Sequence, residues 1–374
     1  MKITDLKVFP VHNWVFVKLE TDGGIHGIGE ASLSGRNQAI VEVLTAHLKP
    51  VLTGQDATRI EHIWQDIFRG TFWRGGPVLQ SALAGVDIAL WDLNARALGV
   101  PLYRLLGGKC RDRVLTYRHV GGRTPEELVD RAQQLLDGGC KVLRISPTSG
   151  KDGIFDASAM TRQSVAHFEA LRNAVGDEPE VIFEVHTRMT PPQAIGLCNA
   201  IAPFRPMFVE DPIRSENPAT FALLRQHTSV PLGTGEQLTH KWAFRELIEG
   251  ELVDYLRVDI CHSGGITEGK KIATMGEVHY QELALHYTAS SVSAAAMLHL
   301  NTAVPNCAVQ ECNPHPEWLD DVILNAPKIE DGYLVPTEDP GLGIDLDERA
   351  AAARPIHDTE PPRLRRPDGS LNDW

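Results

Sequence analysis

The runs VIFEVH (181–186), MFVED (207–211), PLGTGE (231–236), YLRVD (255–259), LALH (283–286) and AVQE (308–311) decide the fold. Each is short, apolar and strand-like, and each carries a titratable side chain at or beside its end: Glu184, Glu210, Glu236, Asp259, His286 and Glu311. They recur roughly 25 residues apart with helical sequence between them, the period of a βα unit. In a (β/α) barrel the C-terminal ends of all strands open on one face. Residues far apart in the chain are therefore expected in one pocket. Three carboxylates, an Asp–His pair and a further Glu in one mouth point to a divalent metal beside a proton-transfer site.

Working upstream, VLTYRHV (114–120) and KVLRIS (141–146) supply two earlier strands. Thr124 precedes Pro125 as an N-cap ahead of a helix. The barrel is expected over 113–325. Before it, residues 2–11 and 14–31 read as strands with a turn at Asp22-Gly23-Gly24. Residues 37–50, 57–69 and 78–98 read as helices, the last apolar nearly all round and so buried. This α+β domain is expected over 1–112. Downstream, 326–374 is expected to return to it, with GYLVP (332–336) as the returning strand. The tail 352–374, rich in Pro, Arg and Asp, reads as irregular.

A chain of 374 residues is too long for one ordinary core. A formal net charge of -13 argues against nonspecific binding to nucleic acid or anionic membrane. It allows a small anionic substrate, because a local metal outweighs distant surface charge. The segment MKITDLKVF lacks a signal-peptide core, and no run is long enough to span a bilayer. Six cysteines without CxxC pairing read as reduced, hence a cytoplasmic protein.

With these residues in place the chain resembles the enolase superfamily, in its mandelate racemase-like branch, and within that the galactonate dehydratases. The resemblance runs through WRGGPVLQSALAGVDIALWDL (73–93), VHTR (185–188), VEDPI (209–213), GEQ (235–237), VDICHSGGITEGKKIA (258–273), LALH and the final Trp374. It implies an α+β capping domain over a (β/α)7β TIM-like barrel, one Mg2+ per subunit, and assembly into homo-oligomers from dimer to octamer. It implies a carbon–oxygen lyase that takes the α-proton of an aldonate such as galactonate, passes through an enediolate, and loses the 3-hydroxyl to give a 2-keto-3-deoxy acid.

Glu184, Glu210 and Glu236 offer the hard oxygens Mg2+ prefers. Any one strand-end acid alone is as well explained as a helix cap. The family has Asp at the first position, and the extra methylene of Glu184 moves that carboxylate. His286 is the expected base, with Asp259 fixing its tautomer. His186, two residues beyond Glu184, shares its side of the strand by period-two geometry. In the family pattern it protonates the departing hydroxyl. Glu311 and Arg188 are expected at the substrate, with His262, His315 and Trp318 lining the site. Trp14, Arg36, Trp73 and Arg74 are candidates to close over it. Many relatives carry a lysine at the end of strand two, where this chain has Arg144. Without that lysine a two-base racemase is disfavoured and elimination is favoured, although an arginine serves as base in some related dehydratases. Competing readings are a mannonate, gluconate or aldarate dehydratase, an epimerase, or a weakly active relative that binds a sugar acid.

Overall fold

The computed structural model describes residues 1–146, 153–287, 290–357, 359–360 and 362–373. The final Trp374 lies outside them. The chain opens with an antiparallel sheet of β1 (Ile3–Val11), β2 (Trp14–Thr21) and β3 (His26–Glu30). Next come α1 (Asn37–Glu42), a π-helical stretch (Val43–Leu48), α2 (Lys49–Leu52), α3 (Ile60–Arg69), α4 (Pro77–Ala97) and α5 (Leu102–Leu105). The helix expected over 37–50 is thus continuous, but its middle winds wider than an α-helix. α4 is buried along nearly its whole length, as its all-round apolar sequence requires. It lies so close to β3 that a Cβ on Gly29 would meet the Gly85 carbonyl oxygen at 2.0 Å. Only glycine permits that approach.

Eight parallel strands then close on themselves. They are β4 (Val114–Val120), β5 (Val142–Ile145), β6 (Glu180–Glu184), β7 (Val209–Glu210), β8 (Leu232–Thr234), β9 (Tyr255–Leu256), β10 (Glu282–Leu285) and β11 (Cys307–Glu311). β11 pairs back onto β4 through Gln310–Thr116 and Glu311–Tyr117. Seven helices alternate with the strands: α6 (Pro125–Asp137), α7 (Ala157–Val175), α8 (Pro191–Ile201), α9 (Phe221–His227), α10 (Lys241–Glu249), α11 (Gly265–Val278) and α12 (Ser291–Ala303). The architecture is a (β/α)7β barrel beneath an α+β cap. Thr124 caps α6 by accepting from the Glu127 N–H. Tyr117, Val142, Ile182, Phe208, Ala284 and Val309 fill the barrel interior. That plug lets the strand ends hold polar groups above a dry floor. Among the described residues no helix is long and apolar enough to cross a membrane.

The C-terminal segment departs from expectation at one point. β12 (Ile323–Leu324) is followed by β13 (Ile329–Glu330) and β14 (Tyr333–Leu334). β14 lies within the GYLVP run, yet it pairs antiparallel with β4, Tyr333 opposite Leu115 and Leu334 opposite Val114. The reason is local. β4 starts ahead of its parallel neighbours, and its first residues offer an open edge. The contacts with the capping elements come later in the chain. β15 (Asp345–Leu346) pairs with β12, and α13 (Glu348–Ala352) places Glu348 at 2.6 Å from Lys18. His26 meets Asp345 at 3.1 Å.

His299 of α12 is a buried neutral histidine at the seam with α5. Its Nδ1 accepts from the Tyr103 N–H at 3.2 Å, and the ring stacks on Tyr103. Burial pushes its pKa down from 6.5 to about 4. Between those values the unfolded chain holds a proton the native protein does not. The associated stability is complete above the unfolded value and is lost as pH falls toward about 4, by ~3 kcal/mol. His299→Asn is expected to flatten the pH 7 to pH 4 change in unfolding free energy by that order, measured by urea titration. An unchanged slope would remove His299 as the source.

Candidate active site

Glu184 and Glu210 end β6 and β7 and lie side by side in register. Glu236 follows β8 by two residues. Ligand oxygens of the three lie within 4.8 Å of one another. Parallel strands place successive C-terminal residues at one height, so three runs with the acid at the end deliver three carboxylates to one spot. Burial pushes Glu210 up to about 7, against the pull of Arg257. Neither Glu210 oxygen receives an aligned hydrogen bond, although both face cations.

Those cations are two buried guanidiniums. Arg144, from β5, pairs with Glu184, and its Nε lies 3.3 Å from Glu210. Its Nη1 also lies 2.7 Å from His119 Nε2. Arg257, directly after β9, is fully buried. One of its nitrogens lies 2.5 Å from Glu210, 3.6 Å from Glu236 and 2.9 Å from Glu311. Glu311 also accepts from Tyr117 Oη at 2.8 Å and meets His119 at 2.6 Å. Burial alone would raise the Glu311 carboxyl, but His119 and Arg257 hold it well below the usual range. The sequence reading did not single out Arg257, His119 or Tyr117. The signal was present: Arg257 sits two residues before Asp259 inside the apolar run YLRVD, where a charge needs partners.

An aspartate–histidine pair follows the next strands, β9 and β10. His286 Nδ1 meets Asp259 Oδ2 at 2.6 Å, and Nε2 faces Glu236 at 3.7 Å. Burial works against the charged ring, but Glu236 and the Asp259 hydrogen bond outweigh it and hold His286 up to about 10. Asp259 Oδ1 accepts from the Cys261 N–H, so its orientation is fixed from both sides. His262 joins through Asp259 at 3.4 Å and reaches Ser81 of the cap at 3.1 Å. Burial pushes its pKa down.

Three comparisons bear on this arrangement. Residues 7–107 match the N-terminal domain of the mandelate racemase / muconate lactonizing enzyme family, and residues 127–350 match the enolase C-terminal domain-like family. The chain belongs to the enolase superfamily. It is 39% identical over both full lengths to a D-mannonate dehydratase of Caulobacter sp. (strain K31). It is 37% identical, again over both full lengths, to a D-galactonate dehydratase family member of Chromohalobacter salexigens. A solved enolase of Pantoea ananatis with bound D-gluconate and Mg superposes with a TM-score of 0.95 at 33% identity, covering both chains completely.

Within this enolase-superfamily frame several residues lie differently from expectation. β6 ends at Glu184, and His186 and Thr187 both take left-handed backbone (φ 59). The strand alternation that would set His186 beside Glu184 stops two residues short of it. A tight turn carries the ring instead, and the His186 N–H donates to Glu184. Arg188 is buried against another cleft, with Met189, Ile213 and Arg214. His315 binds Asp320 at 2.9 Å. Trp73 and Arg74 line a groove of about 310 Å³ on the cap with Val43, Leu48 and Phe68. Trp73 is 81% exposed there. Trp14 and Trp318 pack edge to face in an aromatic cluster with His12, and Arg36 pairs with Glu360 on the surface. The partners named for these residues all lie outside the acid cluster. Their sequence signals marked aromatic and basic character, and packing spends it elsewhere.

Arg257 is the test of the cluster's electrostatics. Replacing it with Met would leave Glu210 and Glu311 buried without their shared cation. Breaking a buried pair this way costs about 3–5 kcal/mol. Arg257→Met is expected to lose stability on that scale in chelator-treated protein, read by denaturant titration. A loss under 1 kcal/mol would mean that the acids are compensated otherwise.

Proposed function

We propose that this chain is a Mg2+-dependent dehydratase of aldonates. The observation that carries the reading is the pairing, across one barrel mouth, of a three-carboxylate set with an Asp-oriented histidine whose Nε2 faces it. Glu184, Glu210 and Glu236 fit a hard dication: their oxygens are close, and the Glu210 lone pairs are not saturated by hydrogen bonds. Glu184, Glu210 and Glu236 would hold the cation, which would supply positive charge to the substrate carboxylate and the developing enediolate.

The chain's own residues divide the remaining work. His286 removes the α-proton through Nε2, while Asp259 holds Nδ1 and stabilises the imidazolium that forms. Glu311, held in place by Arg257, His119 and Tyr117, is the carboxylate left to meet a substrate oxygen. His186, on the turn after β6, gives a proton to the leaving 3-hydroxyl. Arg144 holds Glu184 and stays charged, since burial is outweighed by Glu184 and Glu210 and its pKa lies well above the usual arginine value. It is a poor proton donor on the opposite face, which favours elimination over inversion. The product is a 2-keto-3-deoxy acid.

Galactonate is the first substrate of this proposal. Mannonate stands second, supported by the name of the Caulobacter relative. A cytoplasmic, homo-oligomeric enzyme belongs to the same proposal. All six cysteines are unpaired, and exposed Phe72, Trp73 and Trp242 offer an apolar surface to a second copy. The test is incubation with Mg2+ and D-galactonate, D-mannonate or D-gluconate in deuterated water. Keto acid carrying deuterium at C3, with little C2 epimer, is the expected result. Epimer without keto acid would make the chain an epimerase. Neither product would favour a binding-only relative.

Two variants separate the roles. His286→Asn is expected to lose both turnover and exchange of the α-proton with solvent, followed by NMR. His186→Asn is expected to lose turnover by roughly 10²–10⁴-fold while keeping exchange. Full activity in the His286 variant would sink the assignment of the base.

The cation prediction needs no substrate. Mg2+ at 100 times its dissociation constant is expected to stabilise the protein by about 2.7 kcal/mol. Glu236→Gln should lose most of that gain. An equal Mg2+ effect in the variant would place the cation elsewhere.

A further inference from the structure

The end of the chain, Arg363 to Asp373, has no periodic apolar pattern, yet it folds into a small closed hairpin. Arg366-Pro367-Asp368-Gly369-Ser370 makes the turn. Gly369 takes φ 85, and its N–H donates to the Arg366 carbonyl at 2.9 Å. Arg366 N–H donates to Ser370 O at 2.8 Å, and the Asp368 carboxylate accepts from both the N–H and the hydroxyl of Ser370. Asn372 N–H closes the pair onto Leu364 O at 3.0 Å. Leu364 is buried in the main core and anchors the hairpin.

From that anchor the hairpin bonds to three successive βα segments. Phe155, just ahead of α7, donates its N–H to Arg365 O at 2.7 Å, and Arg365 N–H donates to Gly153 O at 2.9 Å. Asn372 Nδ2 donates to the backbone carbonyl of Arg188 at 3.2 Å, while its Oδ1 accepts from Arg366 Nε. Asp373 lies 3.7 Å from Arg214, beyond β7. These segments follow β5, β6 and β7, the strands that carry Arg144, Glu184 and Glu210.

The cap holds the other half of the mouth. Gln80 donates to Thr239 O at 2.8 Å, beyond β8. Trp64 donates to Gly264 O, and Asp87 accepts from Thr267 N–H, beyond β9. Glu30 accepts from Ser293 N–H, beyond β10. The mouth is thus held by two separate devices, the cap over Glu236, Asp259 and His286, and the hairpin beside Glu184, His186 and Glu210. The hairpin's side contains the strained backbone: His186, Thr187 and Asp211 all have positive φ without being glycine. Such conformations persist only where surrounding contacts over-determine them. The tie on the Arg188 carbonyl is next to that pair of residues.

We propose that Asn372 is a positioning residue. Through the Arg188 carbonyl it holds the turn after β6, and with it the Glu184 carboxylate and the His186 ring. The inference rests on the metal and acid roles given to those two residues above. Asn372→Asp keeps the shape of the side chain but removes the donor. It is expected to raise amide hydrogen exchange at 186–190 while leaving 260–267 unchanged. Mg2+ affinity, by calorimetry on the full chain, is expected to fall roughly tenfold, as when a partner behind a metal ligand is lost. At saturating Mg2+ the ratio of α-proton exchange to elimination should rise, because the His286 side of the mouth is untouched. Ser370→Ala, on the same hairpin and removing only a hydroxyl that donates to Asp368, should match the parent in all three. Unchanged hydrogen exchange at 186–190, or unchanged Mg2+ affinity, would overturn the proposal. A uniform rise in exchange across the barrel would overturn it too, as a general loss of stability. Hydrogen exchange and Mg2+ binding need no substrate. If the parent protein turned over no acid sugar, the dehydratase reading would fail while those two measurements still decided this one.

Discussion

The fully buried Arg257 guanidinium is the contact on which the site depends. A parallel barrel whose strands end in acids must collect negative charge in a small, poorly hydrated volume. Ionised carboxylates there repel one another and lose solvation. Arg257 meets Glu210, Glu236 and Glu311 at once and donates to the Ala284 carbonyl at 2.8 Å. It links β7, β8, β10 and β11 from the end of β9. Arg144 does the same between β5, β6 and β7 on the other side. The arginines leave the acids in excess, and that excess is what suits the mouth to a dication.

The same arithmetic fixes the state of the histidine. His286 stands between Asp259, which orients it, and Glu236, which faces its outer nitrogen. A single imidazole is thereby coupled to the metal set through one carboxylate. Glu236 and Asp259 together hold the ring up to about 10, against the cost of burial. The arrangement follows from placing strands β8, β9 and β10 side by side.

Rigidity comes from outside the barrel. Short strands of two to five residues, such as β7 and β9, fix little beyond their own ends. The loops that continue them are held by the cap on one side and by the C-terminal hairpin on the other. Asp87 of α4 illustrates the cost of that design. Its carboxyl is fully buried and pushed up to about 7, and it stays in place by accepting from the Thr267 N–H and hydroxyl.

The sequence by itself determined the barrel, the cap and the convergence of six strand-end residues. An apolar run, a polar end and a helix, repeated, give a parallel sheet with its polar ends on one side, and the family motifs select the closed barrel over an open sheet. It also determined the Asp259–His286 pair, since adjacent strands leave little choice. It did not determine His186, because a strand that stops two residues short of it voids the alternation argument. Nor did it place Trp14, Trp73, Arg74 or His315, whose surroundings are made by segments distant in the chain. Arg257 and His119 were written in the strands but gained meaning only when three acids arrived from other strands. The hairpin at 363–373 shows the limit most plainly: the tail reads as irregular, and both its turn and its attachment to three βα segments were decided by tertiary packing. Periodicity reports which face a residue occupies, and only the closed structure reports what that face meets.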